Sequence, residues 1–524
     1  MSLLAAEIRG FSYHGDNAPA LRDVDLTLRP GTLTAVLGGS GSGKTTLGKI
    51  LAGWLRAGSA GTLRGGLALG GERLEFTGED GDPRIDPAAW SVRVGYVPQD
   101  AATMLSTVRH TVAEELAFGL ENRGVPRPEM LRRVALTAER TGLGGLLERN
   151  PERLSGGELR RLAVACAVIG EPEVLILDEP LASLDPAGAQ GIARLVGDLR
   201  AAGTAVVVLG QAADGLARSA AHWLVLADGT AVAAGEPYDI PGQVLRDAGV
   251  LAGDAAGGVR HPAPVDPAAA PVLELRDVGF GYAPGGTGPA RSRRLLSRLR
   301  ATPPRLGSEQ ADDAGTPPLL RGLDLAVVPG EIVAVTGPNG AGKSTLLRLA
   351  NGLLRPRQGE VRVLGDPIAG VPAGRVADSV GLLFQQPRDQ LFERTVLREV
   401  GFGLRRLAGP DGDPTARAMD ALTAVGLAGA AAAHPAELPS SRQRLLALAT
   451  VIARRPALLA LDEPTVGLDR HGLDRLHAAV TDAAARGTGV LLVTHDAAYA
   501  RAVAHRVLEL DGGRLRETWR RPAP

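Results

Sequence analysis

Two eight-residue stretches of this sequence have the composition of a phosphate cradle. Gly38-Gly39-Ser40-Gly41-Ser42-Gly43-Lys44-Thr45 and Gly337-Pro338-Asn339-Gly340-Ala341-Gly342-Lys343-Ser344 both fit G-x-x-x-x-G-K-[ST], and are followed by Thr46 and Thr345. The glycines let backbone N–H groups converge on phosphate oxygens, and a helix opening at the lysine adds partial positive charge. Lys44 and Lys343 reach terminal phosphates as slim charges, while Thr45 and Ser344 offer hydroxyls to Mg2+. A second pair of segments, VLILDEPLASLD (Val174–Asp185) and LLALDEPTVGLD (Leu458–Asp469), supplies carboxylates. Asp178 and Asp462 close apolar runs and suit Mg2+ held through water. Glu179 and Glu463 come next and can polarise an attacking water. Singly, such runs read as a glycine turn and a strand edge; in pairs, in one order, they do not.

The elements that must position these groups repeat with them. Lys343 follows Lys44 by 299 positions, Asp462 follows Asp178 by 284, and VGLLFQQ (Val380–Gln386) follows VGYVPQD (Val94–Asp100) by 286. Tyr282 follows Tyr13 by 269. The order of landmarks is constant, so the chain reads as two homologous domains, residues 1–250 and 272–524. Each half runs from a strand-rich start through strand, glycine loop and helix to a helical middle and an apolar strand ending in Asp-Glu. That alternation predicts an α/β fold with a mainly parallel sheet flanked by helices. The linker, residues 251–271, is rich in Ala, Pro and Gly. The jump in offset places an insertion at about residues 283–318, with a basic centre, RSRRLLSRLR. It reads as a solvated surface insertion or as a contact for anionic lipid headgroups.

Composition narrows the function. The 524 residues carry 58 Lys+Arg and 58 Asp+Glu, a balance that argues against a nucleic-acid backbone as the main partner. One cysteine, Cys166, excludes a disulfide framework or a multi-cysteine metal site. The apolar runs are strand-sized and the N-terminus is charged early, so a soluble intracellular chain is expected. Only three basic residues are lysine, namely Lys44, Lys49 and Lys343. Two of them close the glycine loops, where a flexible ammonium fits and a planar guanidinium does not.

With Asp-Glu-Pro followed by Ser183-Leu184-Asp185 or Gly467-Leu468-Asp469, and preceded by LSGGELRR (Leu154–Arg161), the chain resembles the nucleotide-binding domains of ABC proteins. The resemblance implies two tandem P-loop NTPase domains, each with a RecA-like parallel core, an antiparallel β part and a helical subdomain. It implies ATP and Mg2+ as ligands and a head-to-tail pairing, with each ATP held between one phosphate loop and the other domain's signature. Ser155, Gly156, Gly157 and Glu158 would then face the ATP on Lys343. Tyr13 and Tyr282 would stack on adenine, Gln99 and Gln385 would sense Mg2+ and the membrane partner, and His495 would be the switch histidine.

The halves depart from the family pattern unequally. The first has an intact signature but places Gln211 where the second has His495. The second reads LPSSRQR (Leu438–Arg444), with Pro439, Ser440 and Ser441 where Ser155, Gly156 and Gly157 stand. In the implied pairing both departures fall in the site on Lys44. The site on Lys343, with Glu463 and His495, is complete. One slow, ATP-holding site and one hydrolytic site are expected, against the alternative that both hydrolyse alike.

Phe384–Leu404 and Thr111–Val125 resemble the energy-coupling-factor importers. There this region receives helices of a transmembrane coupling protein, though Leu391 and Phe392 can also simply pack the helical subdomain. The resemblance implies a peripheral ATPase at the cytoplasmic face of the membrane. It implies as partners a transmembrane coupling subunit and a substrate-binding membrane subunit, for a vitamin or transition-metal ion. A fused sugar-type importer ATPase and a soluble ribosome-acting ABC protein are the alternatives.

Overall fold

The computed structural model describes residues 2–15, 18–55, 60–79, 81–182, 184, 186–252, 262–282, 318–407 and 412–522. Most of the expected linker, nearly all of the insertion at 283–318, and Ser183 and Asp185 therefore lie outside the described residues. The chain divides into two compact units, Met1–Ala255 with Val466–His471, and Ala256–Thr465 with Gly472–Pro524.

In the first unit the parallel core consists of β3 (Leu33–Leu37), β6 (Val94–Val97), β7 (Val174–Asp178), β8 (Ala205–Gly210) and β9 (His222–Ala227). β3 and β7 are buried along their whole length, as continuous apolar runs covered on both faces should be. The antiparallel part is β1 (Leu4–Tyr13), β2 (Leu21–Leu28), β4 (Gly61–Leu69) and β5 (Glu72–Phe76). A further strand, β10 (Thr230–Gly235), pairs antiparallel with β9 and meets β2 at Thr230–Arg22. All ten strands thus form one sheet, β5-β4-β1-β2-β10-β9-β3-β8-β7-β6.

In the second unit the two parts meet through one backbone bond, Arg321 N–H to the Gly513 carbonyl at 2.8 Å, the counterpart of Arg22 N–H to the Gly229 carbonyl. Four strands, β11 (Leu273–Phe280), β12 (Leu320–Val327), β14 (Gln358–Val363) and β15 (Asp366–Pro367), form the order β12-β11-β14-β15. The other six are β13 (Ile332–Thr336), β16 (Val380–Leu383), β17 (Leu458–Asp462), β18 (Gly489–Val493), β19 (Arg506–Asp511) and β20 (Arg514–Arg520), in the order β16-β17-β18-β13-β19-β20. Only β20 is antiparallel there.

Helices Val112–Asn122, Arg127–Arg140 and Gly156–Val168 enclose a core of Val112, Leu116, Leu120, Val134, Ala138 and Leu162. T-x-x-E starts the first of these with a capping box, Thr111 accepting from the Glu114 N–H and Glu114 returning to Thr111. Val396–Gly401, Pro414–Ala424 and Ser440–Ile452 are the second-unit counterparts. Among the described residues no helix is long and apolar enough to cross a membrane.

Candidate functional site

Each glycine loop leaves a buried strand, β3 or β13, and enters a helix, Lys44–Leu51 or Lys343–Ala350. Gly43 and Gly342 cap these helices in the left-handed region, at φ 96° and 103°. A Cβ on Gly43 would lie 2.6 Å from Leu21 Cδ2, and one on Gly342 would lie 2.7 Å from Leu320 Cδ2. Only glycine meets both demands. Lys44 Nζ donates to the Gly38 and Gly39 carbonyls at 2.8 and 2.6 Å and to Ser42 Oγ at 3.3 Å. Lys343 Nζ donates to the Gly337 and Pro338 carbonyls at 2.8 and 3.0 Å. Burial lowers the pKa of Lys44 from its ordinary value.

The acidic strands end beside these loops. Thr45 Oγ1 donates to Asp178 Oδ2 at 2.7 Å, and the Tyr96 hydroxyl donates to the same oxygen at 3.2 Å. Ser344 hydrogen-bonds Asp462, whose Oδ1 is buried without a partner among the described residues. Burial pushes both aspartates above the usual carboxylate range. A hydroxyl paired with a desolvated carboxylate suits a divalent cation, and in the second unit Asp462 Oδ1 remains open to one. Thr45 with Asp178, and Ser344 with Asp462, are thus the residues that would hold Mg2+. When bound, the ion would offset phosphate charge.

Glu179 and Glu463 turn in the left-handed region, φ 48° and 47°, a strained backbone for a non-glycine residue. Their N–H groups still donate across the sheet to Leu209 and Val493, so the turn redirects the side chain without breaking the ladder. Around Glu179 two amides converge, Gln211 Nε2 at 2.5 Å from Oε1 and Gln99 Nε2 at 2.9 Å from Oε2. Burial, with Asp178 adjacent, raises the pKa of Glu179. Around Glu463 stands His495, its Nδ1 2.9 Å from Oε2. That hydrogen bond raises the histidine's pKa. Gln385, the counterpart of Gln99, is exposed.

Tyr13 and Tyr282 hold their hydroxyls against Thr46 and Thr345 at 3.0 and 3.2 Å, with rings edge-on to Phe11 and Phe280. Ser155 caps helix Gly156–Val168. Its Oγ accepts from the Glu158 N–H at 3.3 Å, and Glu158 Oε2 accepts from the Ser155 N–H at 2.8 Å. A Cβ on Gly156 would meet nothing within 4 Å, and one on Gly157 would meet only Leu184 at 3.4 Å. At the corresponding end of the second unit, Pro439 occupies the N-cap with no side-chain bond. Proline suits the first turn of a helix, but Pro439 stands one residue earlier, where a hydroxyl is wanted.

The sequence profile of the ABC transporter family matches residues 21–182 and 320–466. The chain belongs to the ABC transporter family. A Methanosarcina acetivorans protein named as an ABC transporter ATP-binding protein is 30% identical over 515 residues, covering 98% of this chain and 89% of that one. A Streptomyces avermitilis protein of the same name is 35% identical over 539 residues, covering 96% and 91%. The solved complex of an archaeal ribosome recycling factor, aABCE1, with ribosomal stalk protein aP1 aligns at TM-score 0.60 and 18% identity, covering 97% of this chain and 89% of that one. That likeness is one of fold.

In this ABC transporter ATPase two arginines, beyond the motif residues given roles above, hold the site together. Arg160 donates to the carbonyls of Glu179 at 3.1 Å and Gln99 at 2.6 Å. Arg444 donates to those of Glu463 at 3.0 Å and Gln385 at 2.9 Å. Each ties the glutamate turn to the glutamine strand end. Burial lowers both pKa values, that of Arg444 to about 10. Their spacing of 284 matches that of the Asp-Glu pairs, a repeat signal that marks them.

Proposed function

We propose that this ABC transporter ATP-binding protein energises an importer of the energy-coupling-factor type, for a vitamin or a transition-metal ion, through two unequal composite ATP sites. The observation that carries the inequality is the partner of each glutamate. Glu463 faces an imidazole that can take and hold a proton, whereas Glu179 faces a primary amide that cannot. In the proposed head-to-tail pairing, Lys44, Gln211 and the Pro439 helix share the slow site. Lys343, Glu463, His495 and the Ser155 helix share the hydrolytic one. In that hydrolytic site Glu463 orients the attacking water, while Lys343 and the loop N–H groups offset charge developing on the phosphoryl group. Steady-state ATPase assays of Glu179→Gln and Glu463→Gln test the assignment. Glu463→Gln should abolish turnover and Glu179→Gln should spare most of it; the reverse result sinks the proposal.

The importer reading is supported by the segment after Gln385. Phe392 and Phe402 are 64% and 52% exposed and stack edge-to-face at 4.8 Å, presenting an apolar surface on the helical part. Buried Glu399 holds this loop by accepting the Phe392 and Glu393 N–H groups at 2.8 and 2.7 Å. In this proposal the protein lies at the cytoplasmic face of the membrane, against a transmembrane coupling subunit and a substrate-binding membrane subunit. Pull-down from native membranes decides it, since co-purified integral membrane subunits support the importer and ribosomes support the alternative.

A further inference from the structure

The first unit carries a segment that no ATP-site motif includes. After β10, the short helix Gly242–Asp247 ends at Ala248. Gly249 follows in the left-handed region, at φ 75°. The Gly249 N–H donates to the Arg246 carbonyl at 3.0 Å and the Val250 N–H to the Leu245 carbonyl at 2.8 Å, so the helix closes in a Schellman turn. Leu245, Ala248 and Val250 are buried in the core that also holds Leu33 and Leu37 of β3. The segment is thereby fixed under the strand that feeds the phosphate loop.

Two sets of hydrogen bonds leave this strap for the ATP site. The Ala248 carbonyl accepts the Gly39 N–H at 2.7 Å. Leu251 donates to the Gln211 carbonyl at 2.8 Å and accepts from the Ala213 N–H at 2.8 Å, a one-residue parallel bridge across the loop carrying Gln211. Contact is close, since a Cβ on Gly249 would lie 3.1 Å from Gly39 Cα. The second loop has Pro338 at the position of Gly39. Proline has no N–H to give and fixes its own φ, so the second loop restrains that residue covalently.

We infer that Ala248–Leu251 is a positioning element of the first ATP site, holding Gly39 and the Gln211 loop in place before ATP arrives, as Pro338 does alone in the second. Gly39 is the flexible residue at this point, and the strap removes the freedom that ATP binding would otherwise have to remove. None of these residues touches the reacting atoms. Their effect is on affinity, and it does not depend on how the two sites divide hydrolysis.

The test is a double-mutant cycle in the full chain carrying Lys343→Ala, so that equilibrium binding of radiolabelled ATP with Mg2+ reads the first loop. Gly249→Ala, which pushes the strap off Gly39, should weaken binding about fivefold, the scale of one lost hydrogen bond. In a Gly39→Pro background, which already lacks the N–H given to Ala248 and fixes its own φ, the same change should weaken it less than about twofold. Leu251→Pro, which removes the N–H given to Gln211 and leaves the bond to Gly39, should weaken binding about fivefold in both backgrounds, and keeps the test open if Gly249→Ala does not fold. A strap that serves only the fold would lower the thermal midpoint of either variant with ATP affinity retained, or would give Gly249→Ala equal losses in both backgrounds. Either result overturns the inference.

Discussion

The His495 imidazole places Nδ1 2.9 Å from Glu463 Oε2, and that same oxygen lies 3.4 Å from the His495 backbone nitrogen. One carboxylate oxygen thus fixes both ends of the switch residue. Gln211 meets Glu179 through its side chain at 2.5 Å, while its backbone carbonyl is engaged by Leu251. An amide donates at any pH, whereas an imidazole's charge depends on pH.

That difference predicts a pH dependence. The hydrogen bond to Glu463 raises the pKa of His495 in the folded state. Its stabilisation is therefore full below the unfolded value of about 6.5 and is lost as pH rises through the raised folded value. In nucleotide-free protein, the thermal midpoint gap between the parent chain and His495→Gln should be larger at about pH 6 than at about pH 9. An equal gap at both would show that the pair carries no titrating charge.

Arg444 predicts a local collapse of the second site. Arg444→Met leaves the buried Glu463 carbonyl and the partly buried Gln385 carbonyl without their donors. A loss of about 2–3 kcal/mol is expected. For a unit of this size that lowers the midpoint by roughly 4–10 °C in calorimetry. Arg160→Met should do the same to the first unit, and an unshifted transition in either variant would contradict the tie between glutamate turn and glutamine strand.

The two signature helices should respond in opposite directions to cap changes. Ser155→Ala removes a capping box and should cost about 1 kcal/mol. Pro439→Ser supplies the missing hydroxyl and should add a few tenths to about 1 kcal/mol. The gain is only half a box, because Arg442 stands where Glu158 does. Urea unfolding of the two variants reads both signs.

Thr45→Val and Ser344→Ala delete the hydroxyls paired with Asp178 and Asp462. Each should raise the Mg2+ concentration needed for half-maximal ATP binding by about tenfold, the scale of one charge-assisted contact. Mg2+ titrations at fixed ATP check this, and an unchanged midpoint for either residue removes it from the metal-holding set.

The phosphate loops, the Asp-Glu strand ends and the duplication are legible in the sequence because short-range chemistry dictates them. A glycine loop must sit between a strand and a helix, and a buried parallel strand must be a continuous apolar run. The exchanges of histidine for glutamine and of serine for proline are likewise visible once the repeats are aligned. Tertiary structure decided what those residues touch. Gln99 and Gln211 share one carboxylate, Arg160 and Arg444 reach backbone carbonyls across 59 to 61 positions, and Ala248 reaches back to Gly39. Carbonyl acceptors leave no side-chain signature, so no motif records them. In each unit the antiparallel and parallel parts are joined by one backbone bond, Arg22 N–H to the Gly229 carbonyl and Arg321 N–H to the Gly513 carbonyl, both at 2.8 Å. A single backbone bridge between distant strands is a matter of register, which residue types alone do not specify.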